Sequence, residues 1–131
     1  MKDSMRIGNV VTANFVVTES MQPRFGGQIV HPVCSTWDFA HQFEIAARKS
    51  LIPHLEENEE GIGSQLAIEH CAPAPLGSDI KITSTVTKVD KTTVVCTLEA
   101  KKSQTIVATA IQTQRVFPKK IVDQIIANAS Y

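Results

Sequence analysis

The sequence predicts an α+β fold: an antiparallel sheet of about five strands wrapped around one long apolar helix. Three observations lead there. A strong helical pattern fills residues 36–52. Four strand-like segments follow it in succession, and the last three are joined by connections short enough for hairpins. No helix alternates with those strands, so a doubly wound parallel sheet does not fit. At 131 residues the chain has the size of one compact domain, read here as spanning 1–131.

The elements follow in chain order. Residues 10–17, rich in β-branched side chains, read as a first strand. Residues 18–34 contain Pro23, Gly26, Gly27 and Pro32 and read as a long loop, a length that usually signals function or mobility. Ser35 and Asp38 fit a capping pattern that starts the helix, and Pro53 stops it. Phe39, Ala40, Phe43, Ala47, Ser50 and Leu51 share one face of that helix, whereas Asp38, His41, Gln42, Arg48 and Lys49 share the other. Residues 56–61 form an acidic turn. Residues 62–72 alternate, with Ser64, Leu66, Ile68 and His70 on the more apolar face, until Pro73 and Pro75 end the strand. Residues 78–89, 92–101 and 105–116 give three further strands rich in Thr and Val. Pro118 opens a short helix with Ile121, Val122, Ile125 and Ile126 on one side.

Two ionisable residues break the apolar pattern. Glu44 sits within the helix stripe beside Ala40, Ala47 and Leu51, and His70 lies on the inward face of the next strand. An inward carboxylate is unfavourable unless it is paired or used. A carboxylate near an imidazole suits general-base chemistry. Thr36 stands at the start of the same helix, where free backbone N–H groups and the helix dipole can polarise a carbonyl or hold an oxyanion. Together these groups suit acyl transfer or hydrolysis. Each also has a plainer reading: Thr36 as a partner in capping, Glu44 reaching solvent along its stem, His70 as a hydrogen-bonded core residue.

Other chemistries find less support. His31 with Cys34, and His70 with Cys71, match no closed zinc motif, so no metal is expected. Gly61-Ile62-Gly63 lacks a phosphate-loop pattern and no G-x-S-x-G elbow occurs. Thirteen basic residues balance thirteen acidic ones, which argues against a nucleic-acid partner. No apolar run approaches the roughly 20 residues needed to span a bilayer, and the N-terminus has no signal core. Three scattered cysteines argue against a disulfide framework and for a cytoplasmic protein. Zero net charge leaves little to oppose self-association.

The stretches Phe43-Glu44-Ile45-Ala46-Ala47-Arg48, Ile52-Pro53-His54-Leu55-Glu56, Gly63-Ser64-Gln65 and Glu69-His70-Cys71-Ala72-Pro73-Ala74-Pro75-Leu76-Gly77 carry a resemblance. In them the chain resembles hotdog-fold thioesterases, in particular the fluoroacetyl-CoA thioesterase group. The likeness runs from Met1 to about Arg115. It implies acyl-CoA hydrolysis, with Thr36, Glu44 and His70 matching the family's catalytic threonine, glutamate and histidine, and Gly63 its glycine beside the thioester. It implies a homodimer with active sites at the subunit interface, and coenzyme A as part of the substrate, with no separate cofactor. The fluoroacetyl-specific member carries phenylalanines in an apolar lid before its threonine. Residues 26–34 carry no aromatic here, so the resemblance does not extend to that selectivity. A hotdog module that binds acyl-CoA without catalysis is the alternative, because fold does not fix function. A hotdog hydratase fits less well, since its Asp-and-His motif is not seen, and a ligand-free structural dimer leaves the long Gly-containing loop unexplained.

Overall fold

A computed structural model describes residues 1–130. Seven strands and two α-helices succeed one another: β1 (Val10–Val16), β2 (Arg24–Phe25), β3 (Gln28–Ile29), α1 (Thr36–Leu51), β4 (Glu59–His70), β5 (Asp79–Val89), β6 (Thr93–Lys102), β7 (Thr105–Pro118) and α2 (Lys119–Asn128). Five strands form one antiparallel sheet in the order β1-β5-β6-β7-β4. The segment expected to be a plain loop contains a small hairpin, β2–β3. Gly26 and Gly27 make its turn at φ 57° and 81°, a conformation that favours glycine.

The sheet curves over α1. Strand alternation puts Ile80, Ile82 and Val86 of β5 and Val94, Cys96 and Leu98 of β6 inside, against Phe39, Phe43, Ala47 and Leu51 of the helix. Full burial of each large side chain in this set contributes on the order of 1.5–3 kcal/mol. Ala46 joins this buried face, while Ala40 is half-buried. Several polar residues inside are partnered. Ser50 and Ser84 share a hydroxyl bond of 2.9 Å, and Gln114 of β7 donates to the Ala47 carbonyl at 3.0 Å. The helix starts as its sequence directs: Ser35 Oγ accepts from the Asp38 N–H at 3.1 Å.

Two expectations need correction. Strand β4 begins at Glu59, inside the segment read as an acidic turn, because both acids there are paired. Glu59 meets the α-amino group of Met1 at 2.8 Å and Glu60 meets Arg48 at 3.0 Å. Ser64 does not share the face of Leu66, Ile68 and His70. The register between β4 and β7 shifts between Gly63 and Gln65, so Ser64 is the extra residue of a β-bulge and is exposed. The bulge reverses the alternation: Gly61 and Gly63 face α1 before it, and Leu66, Ile68 and His70 face inward after it. The C-terminal helix is as expected: Pro118 stands at the N-cap of α2, whose apolar side has Val122 buried and Ile121, Ile125 and Ile126 exposed.

Candidate active site

The bulge brings His70, the last residue of β4, to the N-terminus of α1. There Thr36 Oγ1 and His70 Nδ1 are hydrogen-bonded at 2.9 Å. The imidazole also stands edge-on to Phe39, with ring centroids 4.8 Å apart. That contact fixes the ring plane while the neighbouring threonine is exposed to solvent. Ser35 caps the Asp38 N–H and the Phe39 N–H bonds the Ser35 carbonyl. The N–H groups of Thr36 and Trp37 lie ahead of the first intrahelical bond and have no partner among the described residues. Two free donors, the positive end of a 16-residue helix, a hydroxyl and an imidazole therefore meet at one place.

Glu44 lies elsewhere on the same helix. Its carboxylate is half-buried and accepts a bond from Gln112 Nε2 at 3.0 Å. It also rests against Gly63, where a Cβ would lie 2.9 Å from Glu44 Oε2. Among the described residues no hydrogen bond joins Glu44 to His70. Eight residues of helix separate Thr36 from Glu44, about 12 Å along the axis. The four candidate residues thus form two pairs, Thr36 with His70 and Glu44 with Gly63.

Two features were not read from the sequence. Gln112 is a fully buried polar side chain on the inward face of β7. Its inward phase, shared with Ala110 and Val116, is the signal that could have found it. The second is aromatic. Phe25, in the β2–β3 hairpin, stands edge-on to Trp37, the residue after Thr36, with centroids 5.5 Å apart, and both rings are exposed. Phe25 precedes the aromatic-free segment 26–34, so only the fold shows that an aromatic packs on the residue next to Thr36.

The thiols close to the site are poor nucleophiles or lie off it. Burial, and secondarily the Asp38 carboxylate, pushes the Cys34 thiol up to about 12. Cys71 is exposed and points its thiol to the Ile106 carbonyl at 3.7 Å. Among the described residues no three His, Cys, Asp or Glu side chains gather as metal ligands would.

Comparison with known proteins supplies the context for this geometry. A family model described as fluoroacetyl-CoA-specific thioesterase (FlK) matches residues 17–120. No curated protein matches the sequence. A hypothetical protein of Thermus thermophilus, a thioesterase superfamily member, is 30% identical, with a TM-score of 0.90 over 95% of this chain and 93% of that one. A hot-dog-like protein from Thermanaerovibrio acidaminovorans, 24% identical, has a TM-score of 0.87 over 95% of this chain and 93% of its own. The fluoroacetyl-CoA thioesterase FlK, at 20% identity, shares the fold with a TM-score of 0.86 over 98% of this chain and all of that one. With most of its length matched by the family model, this α+β hotdog chain belongs to the fluoroacetyl-CoA-specific thioesterase family of thioester hydrolases.

Proposed function

We propose that the protein hydrolyses an acyl-CoA thioester to the free acid and coenzyme A, with Thr36, Glu44 and His70 as its catalytic residues. The observation that carries the reading is the 2.9 Å bond between Thr36 and His70 beside free N–H groups at the helix start. A thioester carbonyl seated there would be polarised by the Thr36 and Trp37 N–H groups, which strengthen their hold as the oxygen gains charge. As base, Glu44 takes a proton from the water that attacks the carbonyl carbon; as direct nucleophile, it forms a mixed anhydride that water then opens, releasing the free acid and restoring the carboxylate. In either route the carbon–sulfur bond breaks as the tetrahedral intermediate collapses, and the leaving thiolate takes a proton from the imidazolium of His70, oriented by Thr36, which solvent or the protonated Glu44 reloads. Gly63 leaves room for the thioester beside Glu44. The exposed Phe25–Trp37 pair offers the acyl group an apolar wall, so the acyl preference need not be fluoroacetyl.

The separation of the two residue pairs supports a homodimer with shared sites. Strand β4 is a free edge of the sheet and is twelve residues long, the kind of edge that pairs with another chain unless protected. Antiparallel pairing of two β4 edges runs the Gly63 end of one strand toward the His70 end of the other. Each site would then draw one pair from each subunit. No helix among the described residues is long and apolar enough to cross a membrane, and the three free thiols suit the cytoplasm.

Thiol release from acetyl-, hexanoyl- and phenylacetyl-CoA, followed for the parent protein and for Glu44→Gln and His70→Ala, tests the reading. Turnover should fall roughly 10²-fold or more in each variant with the fold intact by circular dichroism. Saturable binding of these thioesters without turnover in the parent would overturn hydrolysis in favour of a ligand-binding module.

A further inference from the structure

The carboxylate of Glu44 is held by one side chain, and that side chain is poorly accommodated where it sits. Gln112 lies at the centre of the inward sheet face, paired with Leu66 on one side and Cys96 on the other. It is fully buried. Its Nε2 donates to Glu44 Oε2 at 3.0 Å, yet its Oε1 has no partner and no exposure to water. It is the one buried side-chain acceptor in this condition among the described residues. Its neighbour Gln114 is different: its Nε2 ties the Ala47 carbonyl to the sheet, and neither of its polar atoms is a fully buried orphan.

A buried acceptor without a partner destabilises a fold. An apolar side chain of similar length would fill the same space and remove the defect. The amide therefore does something at its other end, where it meets Glu44. Only Oε2 of Glu44 is engaged; Oε1 accepts no bond from the protein and is open to solvent. On the far side Gly63 brings bare backbone to the same oxygen, and a Cβ there would also come within 3.4 Å of Gln112 Nε2. The carboxylate is clasped through one oxygen and free through the other.

We propose that Gln112 is a positioning residue for thioester hydrolysis: its amide N–H fixes the rotamer of Glu44 so that Oε1 is presented to the reacting carbon or its attacking water. This rests on the reading above that Glu44 serves catalysis. The orientation of the amide follows from chemistry: an ionised carboxylate only accepts, so the NH₂ end must face it and the oxygen must take the unpartnered side.

Gln112→Met tests this, because it keeps length and apolar volume but has no donor. With the fastest of acetyl-, hexanoyl- or phenylacetyl-CoA, kcat should fall roughly 10–100-fold while KM changes less than about twofold, the scale expected for a misplaced catalytic group. The melting temperature should equal or exceed that of the parent. In a Glu44→Gln background the same substitution should change the residual kcat less than about twofold, since a residue that acts through Glu44 has nothing left to position. An unchanged kcat in Gln112→Met would overturn the role. So would an equal loss in both backgrounds, which marks a structural effect. Gln112→Leu, also without a donor, is read in the same way if Gln112→Met melts below the parent. A parent with no turnover, or a Glu44→Gln variant with parental turnover, sinks the underlying reading and this inference with it; loss in Glu44→Gln alone sinks only the role of Gln112.

Discussion

Two glycines in β4, two residues apart, make opposite demands at the scale of single atoms. Gly63 faces the end of a flexible carboxylate, whereas a Cβ at Gly61 would press into Leu51 Cδ2, part of a fully buried side chain. Gly63→Ala should displace Glu44 and lower kcat about tenfold or more with little change in melting temperature. Gly61→Ala should overpack the core, lose roughly 1–3 kcal/mol in a denaturant titration, and leave kcat of the folded protein near the parent value. A parental kcat in Gly63→Ala would mean that the carboxylate has room to move without consequence. Glu44 and His70 were legible in the sequence because each is a polar residue in the inward phase of an otherwise apolar element. Gln112 obeys the same rule, but the Thr-rich alternation of β7 masks it, because its inward phase holds a second Gln and small residues rather than a plainly apolar run. The meeting of Thr36 and His70 is as the sequence suggests, although it joins residues 34 positions apart; the distance of Glu44 from that pair was not legible, since it depends on how the helix lies across the strand.

The break in the alternation of β4 belongs to the scale of elements. The order of strands and helices was readable from periodicity and turn residues, because each main element carries its own pattern. The bulge at Ser64 was not, because a one-residue slip leaves composition unchanged while moving every later side chain to the other face. Nor was the early start of β4, which needs partners distant in sequence to neutralise its acids. Those partners have a measurable consequence. The amino group of Met1 holds the Glu59 carboxyl below the usual carboxylate range, and the Gly61 N–H, followed by Arg48, does the same for Glu60. With folded-state values below the unfolded ones, the folded protein binds fewer protons in mild acid. The stability these groups contribute is complete above the unfolded carboxylate range, near pH 4–5, and is lost as pH falls through the lower folded values. Glu60→Gln should therefore melt slightly below the parent at about pH 6, and the gap should close as the pH falls through the lowered folded-state range of Glu60. The difference stays small, because Arg48 and Glu60 are partly exposed, with side-chain accessibilities of 49% and 35%. A gap that widens on acidification would show that the pairing does not stabilise the start of β4.

At the scale of the whole molecule, the two residue pairs pose a question that one chain cannot answer alone. Thr36 with His70 and Glu44 with Gly63 are about two helical turns apart, and a thioester carbon must meet both an oxyanion site and a base within a few ångströms. Either substrate binding reshapes one chain over that span, or the pairs come from two chains across the free β4 edge. Mixing two inactive variants separates these cases. His70→Ala and Glu44→Gln homodimers should each be nearly inactive. Co-refolded in equal amounts, they assort so that about half of the dimers are mixed. If a site is shared, each mixed dimer holds one site with both substitutions and one with neither, so about a quarter of parental turnover returns. If a site is confined to one chain, every site carries one substitution and nothing returns. Size-exclusion chromatography of the mixture checks that dimers have formed, so absent recovery from a dimeric mixture would overturn the shared site while leaving hydrolysis itself standing. Recovery would tie the bulge to catalysis directly, because the turn of phase at Ser64 is what puts Gly63 and His70, seven residues apart, on the same face of one edge strand.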